Sequence, residues 1–195
     1  SLIASDNTVT AGSHITLSSS TLVGTVLTST SGYLSADTST VTASSGALSA
    51  GVDISIFGSS ASTVSIAGAV TATAGSISVA SGSTLSAAGK IESGTSCSLS
   101  GTTTTSTGNL VCGTSLAVSG VTVTVTSGDI SVGTTMDVSS SGKVLAPAGS
   151  LTAADGYISV VGGSEVEVEG AVSVSTGYIS LSGASTLNST TASVA

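Results

Sequence analysis

Between Gly142 and Gly177 the chain reads GKVLAPAGSLTAADGYISVVGGSEVEVEGAVSVSTG, with a glycine at every seventh position: Gly142, Gly149, Gly156, Gly163, Gly170 and Gly177. Between the glycines, apolar and polar residues alternate, as in YISVV and AVSVST. Alternation with period two places successive side chains on opposite faces of a strand. A strand with only two inward residues buries almost nothing alone, so short strands separated by regular bends must stack on one another. Glycine suits such bends because it takes up backbone conformations that other residues adopt poorly.

The same unit recurs along the chain. Val70 and Ala72, Ile77 and Val79, Ile130 and Val132, Ile158 and Val160, Val172 and Val174, and Ile179 and Leu181 occupy equivalent inward slots. With one-residue slips the frame reaches back to Ile15 and Leu17, and one insertion falls near Gly58–Ala61. An internal repeat of this kind outranks other signals. Three units make a turn of about 20–21 residues, so the spacing predicts an all-β, three-sided parallel β-helix of about ten coils with essentially no helix. Residues 1–195 are read as a single β-solenoid domain, a segment of a longer or polymerising chain. Pro147 is placed at a corner, where its missing N–H costs least.

Composition fits an ordered rod with an unusual surface. Ser and Thr supply about two-fifths of the residues, against 6% charged and 2% aromatic. Disordered chains lack regularly placed Val, Ile and Leu, whereas 39% of this chain is hydrophobic and evenly dispersed. A net charge of −8, from two basic and ten acidic residues, argues against nucleic acid and anionic membranes as partners. No apolar run is long enough for a membrane-spanning helix.

Placing every third unit on one face gives a test of the coil. The first face then presents Thr40/Thr42, Thr63/Ser65, Thr84/Ser86, Thr102/Thr104 and Thr122/Thr124, followed by Lys143/Leu145, Glu165/Glu167 and Thr186/Asn188. The second is mixed, and the third carries Tyr33, Asp53, Asp137, Tyr157 and Tyr178 among serines. Tyr157 is expected to stack on Tyr178, and Lys143 to pair with Glu165. The outward Thr-x-Thr pairs resemble those of β-helical antifreeze proteins, whose flat threonine arrays order water; that resemblance implies ice as an alternative partner. At the level of periodicity, nearly the whole chain resembles the passenger regions of filamentous haemagglutinin-type and autotransporter adhesins. That resemblance implies an extracellular or cell-surface rod that projects, adheres or self-associates into a fibre.

Few residues offer chemistry. Cys97 and Cys112 fall on inward slots two units apart, within reach of a disulfide, or else remain as two buried thiols. No histidine or further cysteine lies near them, so no metal site is expected. His14 is the only histidine and has no nucleophile elbow or oriented acid beside it. Asp129 and Asp137 lie on different faces, while Glu165 and Glu167 are adjacent outward residues, the one carboxylate pair that a glycan-acting β-helix enzyme would use. The chain is therefore read as non-enzymatic and cofactor-free. Asn188-Ser189-Thr190 is a sequon for N-glycosylation, and the outward hydroxyls are candidate O-glycan carriers.

Overall fold

The computed structural model describes residues 7–58, 60–80 and 82–191, together with the strand backbone of Leu2–Ile3. The chain winds as a parallel β-solenoid of about nine turns, near the ten expected, and no helix occurs among the described residues. Every strand pairing is parallel and joins residues one turn apart. With parallel strands about 4.8 Å apart, the rod is roughly 43 Å long.

Each turn visits three faces in the same order. The first face is a ten-stranded sheet running from Leu2–Ile3 through Thr21–Gly24, Thr40–Ala43 and Thr63–Ile66 to Thr186–Ser189. The second begins at Val9–Ala11 and Leu27–Ser29, the third at Ile15–Ser18 and Leu34–Asp37. Near the C-terminal end these two fuse, because Leu151–Val160 and Val172–Leu181 are continuous strands that round the corner between them. Gly156 makes that corner at φ 95°, a value L side chains rarely adopt.

Alternation sorts the side chains as expected from the sequence. Leu22, Leu27, Leu34, Ile54, Ile77, Leu110, Ile130 and Ile158 are almost wholly buried, and they stack turn on turn to fill the bore. At the C-terminal turn the pattern weakens. Val174, Ile179 and Leu187 are only partly covered, and Leu181 is 46% exposed although its slot faces inward. They pack against the turn below, and no described residue packs over them.

The three corners differ. Between the first and second faces, Gly46, Gly68, Gly89, Gly108, Gly128, Gly149 and Gly170 form a column across seven turns, and at Gly46, Gly68, Gly89, Gly128 and Gly149 the neighbouring backbone passes too closely for a Cβ. The corner from third to first face takes left-handed backbone in most turns, at Gly82, Gly120, Gly162 and Gly183 but also at Ser19, Thr38 and Ser140, though not at Ser100–Thr102. Buried serines complete that corner. The N–H groups of Ser20, Ser39 and Ser62 donate to Oγ of Ser39, Ser62 and Ser83 at 3.1, 3.0 and 3.1 Å. Ser62 Oγ donates onward to the Phe57 carbonyl at 2.6 Å. This satisfies backbone donors that the turn would otherwise bury unpaired.

Candidate functional site: the threonine face

The strands of the first face align residue on residue. Thr21, Thr40, Thr63, Thr84, Thr103 and Thr122 form one unbroken column of outward threonines. Beside it runs a second column of Val23, Thr42, Ser65, Ser86, Thr105 and Thr124. These side chains are exposed or half-buried, and none of the twelve is charged. A shallow trough lined by Ala67, Ala88 and Thr107 borders the second column.

One expected pair requires correction. Thr102 and Thr104 do not belong to the outward array. Thr104 pairs with Leu85 and Val123 in the bore and is 2% exposed, while Thr102 lies at the preceding corner, its hydroxyl donating to the Gly82 carbonyl. Thr103 and Thr105 take the outward positions. The turn from Thr84 to Thr103 is nineteen residues long, whereas that from Thr40 to Thr63 is twenty-three. The expected frame steps eighteen residues from Thr84 to Thr102, one short of the true turn, and so slips by one in TTTT. The corrected column is the more regular one.

Beyond Thr124 the face changes character. Lys143 and Leu145 follow, then Glu165 and Glu167, then Thr186 and Asn188. Lys143 Nζ sits 2.9 Å from Glu165 Oε2, and this contact raises the lysine pKa. The pair is solvent-exposed and contributes little to stability. Leu145, Pro147, Glu167, Glu169 and Thr190 line a hollow beside it. Asn188 is exposed on the last strand of this face.

The other faces carry mostly structural polar groups. Lys90 and Glu92 pair on the second face. Asp53 Oδ1 accepts from the Ser76 N–H and hydroxyl at 2.8 and 2.9 Å, and Asp129 Oδ1 accepts from the Ser150 N–H at 2.8 Å. These carboxylates tie one turn to the next. On the third face Tyr157 stacks on Tyr178 with ring centroids 5.5 Å apart, as the spacing led one to expect. The Asp137 carboxylate, by its charge and by accepting from the Tyr157 hydroxyl at 3.2 Å, pushes that phenol pKa up. His14 stacks on Tyr33 at 4.2 Å, a contact the sequence reading did not anticipate.

Cys97, on the third face, and Cys112, on the second, are joined by a disulfide with Cα atoms 5.7 Å apart. Both are 1% exposed. Cys112 stacks directly over Ser93, which lies just before the corner leading to Cys97, so the bridge climbs one turn inside the bore. Ser93 Oγ lies 3.4 Å from Cys97 Sγ.

Among the described residues, no group of three His, Cys, Asp or Glu side chains comes together that would hold a metal ion. No helix among them is long and apolar enough to cross a membrane. What these features define is a parallel β-solenoid with a disulfide-stapled middle and one face that is hydroxyl-rich and free of charge from Thr21 to Thr124. No family model matches the chain, and no curated protein or solved structure matches it.

Proposed function

We propose that the chain is a structural β-solenoid, an extracellular rod that assembles end to end into a surface filament or adhesin. The observation that supports it is the stacking itself: each turn pairs in parallel with its neighbours along one continuous apolar bore, the architecture of a rod. Parallel stacks of this kind can lengthen by adding strands at a sheet edge, where N–H and C=O groups act as the template. The buried disulfide supports an oxidising compartment, since such bridges persist outside the cytosol. The hydroxyl-rich exterior and the exposed Asn188 suit a solubilised, glycan-bearing surface. Negative-stain electron microscopy of the purified chain is expected to show rods many times longer than a single copy. Uniform short particles at all concentrations would reject this reading.

One specific observation favours a second reading, in which the first face binds ice. Six threonines stand in register, each offering a methyl and a hydroxyl, on a grid of about 4.8 Å between strands and about 6.7 Å along them. Such a repeat can hold water in an ordered layer where a charged face would not. Replacing Thr84 and Thr103 with tyrosine is expected to abolish thermal hysteresis while leaving the fold intact. Absence of hysteresis in the unsubstituted protein rejects ice binding.

A further inference from the structure

The segment EVEVE sets three carboxylates, Glu165, Glu167 and Glu169, on the outside of the strand Glu165–Val168 and the corner that follows it. Only the first is neutralised. The chain has two basic side chains, and both are engaged, Lys90 by Glu92 and Lys143 by Glu165. The Lys143 ammonium also feels the charge of Glu167, but among the described residues neither Glu167 nor Glu169 forms an ion pair. Register places Leu145 one turn from Glu167 in the same outward column, and Pro147 stands just past the end of the Leu145 strand. With the two unpaired carboxylates, Leu145 and Pro147 edge a hollow of about 240 Å³. Thr124 and Thr190 belong to the turns on either side, so the hollow crosses four successive turns and opens on the flank of the rod.

We propose that this hollow docks a lysine side chain from a partner polypeptide, on an extended segment that carries lysine at alternate positions. A lysine lays its aliphatic stem along apolar surface and keeps its ammonium head in water. Leu145 and Pro147 supply the apolar surface, and Glu167 and Glu169 supply the opposite charge at its rim. Charge complementarity of this kind selects a basic partner and repels an acidic one. Spacing selects the segment. Alternate residues of any extended chain stand about 6.7 Å apart, so two lysines in a Lys-x-Lys stretch lying along the strand repeat at the interval of Glu167 and Glu169. The neighbouring part of the same face, from Thr21 to Thr124, carries no charge, so the step to acidic residues fixes where along the rod this partner sits. The contact is independent of both end-to-end assembly and ice binding.

Fluorescence anisotropy of a labelled peptide with lysine at alternate positions, titrated with the whole chain at low salt, tests the assignment. Saturable binding is expected, weakened about tenfold by Glu167→Gln/Glu169→Gln. Leu145→Ser, which leaves the charge unchanged, is expected to weaken it about threefold through the lost cover of the stem. Glu92→Gln/Asp137→Asn removes the same two charges from the other faces and is expected to change affinity by less than about twofold. Equal losses in the two charge variants would overturn the site, because the peptide would then be answering only the net charge of the rod. No binding by the parent chain would overturn it as well. Butylammonium that shifts the Leu145 methyl resonances as strongly as the peptide does would overturn the polypeptide partner in favour of a small amine.

Discussion

Replacing Gly149 with valine is expected to destabilise the solenoid by at least about 4 kcal/mol, a size reserved for substitutions that force a structural rearrangement. A Cβ on Gly149 would lie 1.9 Å from the Gly128 carbonyl oxygen and 2.7 Å from its carbon. Both are backbone atoms of the corner one turn away, held between the strands Thr122–Val125 and Ile130–Val132, so no flexible side chain can swing aside. The neighbouring turns offer no slack either, because Gly128 and Gly170 occupy the same corner above and below. Since stability in a stacked repeat depends on each interface with its neighbours, displacement at one corner spreads to the adjoining turns. The control is Gly12→Ala, where a Cβ meets nothing within 4 Å and the expected change is within about 0.5 kcal/mol. Urea denaturation followed by circular dichroism measures both; a Gly149→Val midpoint equal to that of the parent would refute the close-corner account.

Removal of the Cys97–Cys112 bridge is expected to cost about 3 kcal/mol, the loop-closure value for a bridge spanning fifteen residues. The effect lies mainly in the denatured chain, which becomes freer once the link is gone. In the folded rod both cysteines are enclosed, so reductant acts slowly until the middle turns open. The Cys97→Ala/Cys112→Ala variant therefore gives the cleaner equilibrium measurement, with a lower denaturation midpoint and the same β-rich spectrum. A midpoint unchanged from the oxidised parent would show that the bridge constrains nothing.

Most of the architecture was legible in the sequence, for a simple reason. Where Ile77-Ser78-Val79 or Ile130-Ser131-Val132 alternates, the apolar residues have only one side to go, and the middle of the chain buries them all. Cys97 and Cys112 were readable in the same way, each alternating with a buried leucine, Leu99 or Leu110. Legibility failed where contrast failed. In Thr102–Thr105 four identical residues give no inward or outward signal, and only pairing to Leu85 and Val123 selects Thr104 for the bore. Turn length was the second obscurity, because corners absorb insertions such as that near Gly58–Ala61 without disturbing the faces. The serine ladder of Ser39, Ser62 and Ser83 was hidden by the abundance of serine, which makes one buried hydroxyl look like any solvated one. At the C-terminal end, Leu181 obeys the alternation and yet meets solvent, since burial requires a neighbouring turn as well as a period.

The threonine face illustrates how register governs the functional reading. With Thr103 in place of Thr102, the first column becomes six identical residues in line, and its charge-free run ends at Lys143. Whether the face meets water, ice or a neighbouring rod, its geometry comes from the bore behind it. Leu22, Val41, Val64, Leu85, Thr104 and Val123 fix where each outward threonine stands.

Methyl-to-methyl nuclear Overhauser spectroscopy on the stereospecifically labelled protein is the most direct test of this coil. It should trace a single line of contacts through Val41, Val64, Leu85, Thr104, Val123, Val144 and Val166, each residue meeting the next one turn away. Contacts linking Leu85 to Thr103 instead of Thr104, or joining strands in antiparallel order, would contradict the winding on which every functional argument above depends.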